Sequence, residues 1–172
     1  NGNSSAPSGL ADFAAEHVGG RRDISDGDLV SATNLLNMRK EMGKYGLNPA
    51  DVTYIVSSAS YYDLLSDSAF QTLDEVGSDL AVRVTGTIGA VFGSPVVVSE
   101  EFPADNTAGN MAALAVYNRN YVIPRLRGVQ VEQDYEVMNQ RRVIVATQSL
   151  GFEEIVAGAG TDQPSVKIAF TA

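Results

Sequence analysis

The sequence contains no cysteine, so disulfides and thiolate metal sites are excluded. It has a single histidine, His17, and no Gly-x-Ser-x-Gly elbow. A hydrolase triad needs an imidazole beside a nucleophile and a carboxylate; a lone histidine in a short amphipathic stretch reads instead as a packed or surface residue. No apolar run approaches the roughly 18 residues of a membrane-spanning helix, and no signal-peptide pattern is visible. Charged residues are scarce at 19%, below the usual quarter or so, which suits a protein that buries surface against neighbours. Basic residues are the scarcer sign, leaving a net charge of −9. A protein that grips nucleic acid usually carries a basic patch, so specific nucleic-acid binding is not expected.

What is present fits one compact unit, or two small subdomains sharing a core. The chain has 172 residues and an ordinary apolar fraction of 44%. At this size about 70% of the unfolded surface can be buried. The first residues, NGNSSAPSG, read as a linker or a cut point, as in a fragment or a processed chain. No internal repeat is visible.

Leu10, Phe13, Ala14 and Val18 have helical spacing, with Gly19 and Gly20 as a stop, and Arg21, Arg22 and Asp23 read as a solvated loop. The clearest helix is predicted over residues 28–45. Ser25 or Asp26 caps it, and Asp28 places negative charge in its first turn. Leu35, Met38, Met42 and Tyr45 form a stripe that Leu29, Ala32 and Leu36 widen. Gly46 is expected to take the left-handed cap, with Leu47 packing back and Pro49 ending the helix. Residues 52–56 read as a buried strand. They run through Ser57 and Ser58 into a short helix over 60–65, with Ser60 and Asp63 as a capping box. Residues 80–98 read as two strands with Val96, Val97 and Val98 buried. A polar loop spans 100–110, and an alanine-rich strand follows over 111–117. Val166, Ile168 and Phe170 alternate in a final strand, with GAGTDQPS before it as a flexible connection.

Several patterns mimic catalytic or binding motifs and fail on spacing. Asp26-Gly27-Asp28 resembles the start of a calcium loop, but its twelfth position is Asn37 where a bidentate Glu is needed. Gly86, Gly89 and Gly93 follow G-x-x-G-x-x-x-G and lead into Ser94-Pro95, so they are turn glycines and no dinucleotide loop. The acid pairs Asp74/Glu75, Glu100/Glu101 and Glu153/Glu154 are adjacent, which in an extended chain points them to opposite faces, a poor arrangement for glycoside hydrolysis. The strand-to-helix turn at Ser57–Ser60 could form an anion site, although a plain β-to-α connection explains it as well. No catalytic residue, metal ligand or cofactor-binding residue is assigned.

The most informative stretch is residues 118–152, NRNYVIPRLRGVQVEQDYEVMNQRRVIVATQSLGF. Val129, Val131, Gln133, Tyr135 and Val137 alternate with Gln130, Glu132, Asp134 and Glu136, as in a half-buried strand. Met138, Asn139 and Gln140 make a turn, and a second strand runs from Arg142 to about Phe152. Two long strands with one wet face form a lever or a contact surface. Arg125, Arg127, Arg141 and Arg142 are concentrated here with Glu132 and Asp134, and Arg119 lies just upstream. Two readings stay open: ion pairing across a hairpin, worth little where exposed, or charge complementarity between neighbouring copies.

This stretch, with its Asn-x-x-Asn-aromatic step, its "V.VE.DY.V" strand and its Leu-Gly-Phe ending, resembles the C-terminal part of major capsid proteins of tailed bacteriophages. KYGLNPADVTYIVSSASYYDLL (44–65) and GSPVVVSEEFP (93–103) are similar to the same family in the same order. The resemblance covers roughly residues 28–152. It implies an α+β chain with the Hong Kong 97 phage fold: an axial domain with a mixed sheet and flanking helices over 49–125, and a peripheral portion with long strands formed by 1–48 and 126–172. It further implies a virion structural protein of a phage or prophage, made in the bacterial cytoplasm, that self-assembles into pentamers and hexamers and has no membrane partner. An acidic lining suits such a shell, since like charge keeps packed phosphates off the wall. The family's N-terminal arm, projecting hairpin and spine helix have no counterpart in these motifs. An encapsulin-type nanocompartment shell is the alternative within the same fold. A small α+β enzyme domain using the Ser57–Ser60 turn is the alternative of another class.

Overall fold

Apolar residues set two apart along 52–56 and 165–171, and the unbroken apolar run at 111–117, supply the inner strands of a sheet. The structure, a computed structural model, describes residues 9–16, 19–25, 27–67, 89–102 and 107–171. Its elements in order are α1 (Leu10–Glu16), β1 (Arg21–Ser25), α2 (Ala32–Glu41), β2 (Val52–Val56), α3 (Ser58–Ser66), β3 (Ala90–Val91), β4 (Ser94–Val98), β5 (Met111–Tyr117), β6 (Tyr121–Val122), β7 (Arg125–Glu136), β8 (Arg141–Leu150), β9 (Glu153–Glu154) and β10 (Ser165–Thr171). Short 3-10 turns occupy Gly43–Gly46, Pro49–Asp51 and Asn118–Asn120. Two compact units divide the chain: one spans Leu10–Asn120 and resumes at Val156, and the other is built from Tyr121–Ile155.

The first unit is a six-stranded mixed sheet in the order β1-β10-β5-β2-β4-β3. β1 runs parallel to β10, and β2 parallel to β4. β10 with β5, β5 with β2, and β3 with β4 are antiparallel. β5 and β10 lie at the centre and are covered on both faces: Ala112, Ala113, Leu114, Ala115 and Val116 are all buried, as are Val166, Ile168, Ala169 and Phe170. Double burial is why β5 reads as a continuous apolar run. α2 packs on β10 and β5, α1 on β10, and α3 on β5. Leu35, Met38, Met42, Tyr54, Leu64, Ile168 and Phe170 belong to one buried cluster. Each such side chain stabilises the fold by about 1.5–3 kcal/mol through removal from water.

The helix on this sheet is shorter than the 28–45 pattern suggests. Its N-cap is Ser31, whose side chain accepts from the Asn34 amide, in place of Ser25 or Asp26, and no acid lies in its first turn. The competing caps come from α3. The Asp63 carboxylate accepts from the Val30 amide at 3.2 Å, and the Asp67 carboxylate from the Ala32 amide at 2.7 Å. These bonds hold the entry to the helix, where Ser31 is extended. Leu29, Leu36 and Leu47 are exposed, so the buried stripe is narrower than expected and Leu47 does not pack back. The left-handed residue after the helix is Gly43 (φ 55°) and not Gly46.

Other expectations shift for local reasons. Residues 21–25, read as a loop, pair with β10 as an edge strand. α3 starts at Ser58 because Ser57 caps it, accepting from the Ser60 amide at 3.1 Å; Ser60 and Asp63 form no capping box. Val97 and Val98 are half-exposed because β4 is nearly an edge and, among the described residues, only the two-residue β3 lies beyond it. The stretch 157–164 is held, with Ala159 and Asp162 bridged and Gln163 fully buried. The alternating β10 and the alanine-rich β5 stand as expected. The strand expected over 80–88 lies outside the described residues.

Arg39, in the last turn of α2, ties three segments together. Its guanidinium donates to the carbonyls of Gly46 (2.5 Å), Leu47 (3.1 Å) and Phe92 (3.0 Å). This satisfies backbone acceptors in the 3-10 turn and in the β3–β4 turn, where charged donors make the stronger class of bond.

The second unit is a ribbon. β7 and β8 pair antiparallel from Glu136↔Arg141 back to Arg125↔Leu150, with register shifts on either side of Arg127. Gln140 takes φ 49° in the turn over residues 137–140. β6 and β9 pair at the base, where the Tyr121 and Phe152 rings stack with centroids 5.5 Å apart. α2 and β10 belong with β2 and β5 to one compact unit, and residues 121–155 form the other.

Two outcomes follow for stability. Gly43→Ala should cost more than about 2 kcal/mol in urea unfolding, since the residue is left-handed. Its added Cβ would also collide with Asp162 Oδ1 and lie 2.5 Å from the Thr161 carbonyl. Tyr54 is fully buried, and its hydroxyl has no partner among the described residues. Burial raises its pKa above the ordinary 10.0, with the Arg39 charge pulling the other way. The unfolded chain therefore loses this proton first. The associated stability is complete below about pH 10 and is lost as pH rises through the folded value. Tyr54→Phe should leave stability at pH 7 unchanged or raised by up to about 1 kcal/mol, and should flatten the alkaline decline in melting temperature.

Candidate assembly surface

The β7–β8 ribbon carries all six residues singled out from the sequence. Directly opposed residues share a face in an antiparallel pair. Glu132 faces Val145, Asp134 faces Val143, and Glu136 faces Arg141, so these six side chains lie on one side. Val131 with Ala146, Gln133 with Ile144, and Tyr135 with Arg142 lie on the other. The expected alternation of β7 is therefore present, with its acids together.

The expected dry face is not. Every residue of β7 and β8 is exposed except Glu136 and Ser149, which are half-buried. Leu126, Val131, Tyr135, Ile144 and Val145 remain open to solvent, and Met138 at the turn is 95% exposed. A two-stranded ribbon has no second layer of its own to cover either side. Because Val143, Ile144 and Val145 run consecutively, β8 contributes apolar side chains to both faces. Sequence reading missed these apolar contacts as surface candidates; the unbroken valine-isoleucine run was their signal.

The charges divide between the two readings. Arg141 Nε pairs with Glu136 Oε2 at 2.5 Å across the turn. Arg127 donates to Gln130 Oε1 at 3.1 Å, and Asp134 Oδ1 accepts from the Tyr135 amide at 2.8 Å. Among the described residues, Arg125, Arg127, Arg142, Glu132 and Asp134 have no ion-pair partner, since the strand register sets aliphatic or uncharged residues opposite most of them. In the sheet unit, Arg119 pairs with Asp51 at 2.9 Å.

The catalytic look-alikes resolve without a reaction centre. Ser57 Oγ donates to Ser60 Oγ at 2.8 Å, and both residues are buried in the start of α3. The turn thus serves to cap α3. Glu100 and Glu101 are exposed. Gly93 (φ 80°) serves the β3–β4 turn. No group of metal-ligating side chains occurs among the described residues, and no described helix is long and apolar enough to cross a membrane. His17, Asp26, Asp74, Glu75 and Gly86 lie outside the described residues.

The ribbon's exposure has a measurable consequence. Ile144→Thr should change the unfolding free energy of the isolated chain by no more than about 0.5 kcal/mol. Ile168→Ala in the buried sheet should cost about 2–5 kcal/mol. Urea unfolding of both variants gives the comparison.

Comparison with known proteins follows the same lines. No family model matches the chain. It is 36% identical over 157 residues to the major capsid protein of Escherichia phage T5, an alignment that takes in 90% of this chain and 34% of that protein. Its fold matches a chain from the capsid of cyanophage P-SCSP1u (TM-score 0.65, 17% identity, 94% of this chain and 58% of the other). It also matches a chain from Mycobacterium phage Che8 (TM-score 0.64, 17% identity, 92% and 57%). The chain thus spans about a third of the curated relative and under three-fifths of these solved chains. Over nine-tenths of its length the chain is related to a stretch of a phage major capsid protein, and its α+β architecture is the Hong Kong 97 fold of tailed-phage capsid subunits.

Proposed function

We propose that the chain is a structural shell subunit of a tailed phage or prophage head, acting by self-assembly and without chemistry. The observation that carries this reading is the β7–β8 ribbon: a two-stranded arm exposed on both faces, with apolar side chains and unpaired charges, in a chain related to a capsid protein. Surface of this kind is stable when a second molecule covers it. The sheet unit serves as the axial part, whose loops meet at the centre of a pentamer or hexamer. The ribbon serves as the peripheral part that reaches neighbouring subunits. This assignment moves α2 and β10 from the peripheral to the axial side of the division expected from sequence.

Contacts between subunits in such a ring are heterologous, each subunit meeting the next head to tail. Individual contacts are weak, and closure with many copies makes the shell stable. Arg125, Arg127, Arg142, Glu132 and Asp134 set partner register through charge complementarity, while Arg141 is already engaged by Glu136. The net charge of −9 suits a wall facing packed nucleic acid. The virion is the expected location, after synthesis in the bacterial cytoplasm.

Electron microscopy and sedimentation of the purified protein test the proposal. Rings or shells are expected. Reversing charge at Arg125 and Arg127, or at Glu132 and Asp134, should abolish them while leaving the melting temperature of the subunit nearly unchanged. Assembly that is indifferent to both reversals removes these residues from the contact. A monomer that retains a small ligand in a deep cleft overturns the shell reading.

A further inference from the structure

A cleft of about 530 Å³ opens where the start of β1 meets the last turn of α2 and the bridged loop before β10. Arg21, Arg22, Lys40, Glu41, Gly160 and Thr161 contribute to its walls. All belong to the sheet unit. The lining holds three cations and one carboxylate, in a chain whose net charge is −9. Arg21 is paired with Asp23 at 2.6 Å. Arg22 engages Glu41 through a single guanidinium nitrogen at 2.7 Å, which cancels their charges and leaves the buried Arg22 Nε and Glu41 Oε2 without a partner among the described residues. Lys40 is exposed and has no ion-pair partner among the described residues. The cleft therefore presents uncompensated positive charge.

The same chain carries the complementary feature elsewhere. Glu132 and Asp134 lie side by side on one face of the ribbon, exposed and opposite Val145 and Val143. We propose that this acidic face of one copy docks against the Arg22–Lys40 cleft of a second copy. The inference rests on the shell-subunit reading and deepens it by naming the surface that receives the ribbon. Charge of opposite sign on two different surfaces of one chain favours a heterologous, head-to-tail contact over a self-paired one. The aliphatic neighbours Val143 and Val145 give that contact an apolar component beside the ion pairs.

Because the natural chain has no cysteine, a thiol can be placed on each surface without background. Thr161→Cys sits in the cleft beside Lys40, and Val145→Cys sits beside Glu132. The two single variants are mixed and treated with a short bismaleimide. Ser66→Cys, exposed outside the cleft, mixed with Val145→Cys sets the control yield. The expected result is a cross-linked pair well above control. Adding Lys40→Glu to the Thr161→Cys chain should lower the yield by about ten-fold. Adding Glu132→Lys and Asp134→Lys to the Val145→Cys chain should restore it. A control-level yield from chains that sediment as oligomers overturns this docking and leaves the shell reading intact. If the chains do not associate at all, both fall. Should Lys40→Glu instead abolish binding to duplex DNA while cross-linking stays at control level, the cleft is a phosphate site and the second-copy proposal is wrong.

Discussion

The pairing of β10 with β5 is the constraint on which the rest of the structure depends. It joins Ser165 to Val116 and Ala169 to Met111, across some fifty residues of intervening chain that include the whole ribbon. Both strands are buried on both faces, so their backbone groups have no recourse to water and must pair with each other and with β1 and β2. Once that pair forms, Asn120 and Val156 are brought together. The Asn120 side chain donates to the Val156 carbonyl at 2.9 Å and accepts from its amide at 3.1 Å. Residues 121–155 thereby leave the sheet unit and return to it at one place. In sequence, the ribbon unit is a long insertion between β5 and β10.

The two units divide the physical work. The sheet unit supplies nearly all the buried apolar surface, with its helices held by specific polar ties. Asp63 and Asp67 reach from α3 to the entry of α2, and Arg39 reaches from its exit to three carbonyls. The ribbon has almost no core of its own. Its shape comes from the ladder and from the Tyr121–Phe152 stack at its root. An element so lightly covered adds little to the stability of the subunit, so its apolar and charged side chains are free to serve association. That division explains why the fold can be shared at 17% identity with phage capsid chains: the sheet demands only small and branched apolar residues in the right places.

Where sequence reasoning erred, distant polar groups outbid local ones. Ser25 and Asp26 are sound caps by composition, yet Ser31 caps α2 because the α3 carboxylates hold the amides of Val30 and Ala32. Gly46 is a sound left-handed stop, yet Gly43 takes that role because the Arg39 guanidinium pulls Gly46 and Leu47 into a 3-10 turn. Residues 21–23 look like a solvated loop, yet β10 offers them an open edge. None of these partners lies within thirty residues except Arg39, whose role needs the β3–β4 turn as well. That the six charged candidates lie on two paired strands was legible because charge and alternation are local properties. The exposure of both ribbon faces was not, since it depends on what fails to cover them.

By itself, the sequence determined most of the strand and helix segments, though not the edge strand at 21–25 or the start of α2, and the clustering of arginines and acids along 125–142. These follow from side-chain period and residue chemistry, which act over a few residues. Only the tertiary structure decided that β10 joins one sheet with β5 and β2, and that α2 packs on it. It alone decided that residues 121–155 form a unit of their own, and that Arg22 and Lys40 share a cleft with the loop at Gly160. Those outcomes depend on strand pairings between remote segments, and the partner of a strand is chosen by burial and register across the whole chain, not by its neighbours in sequence.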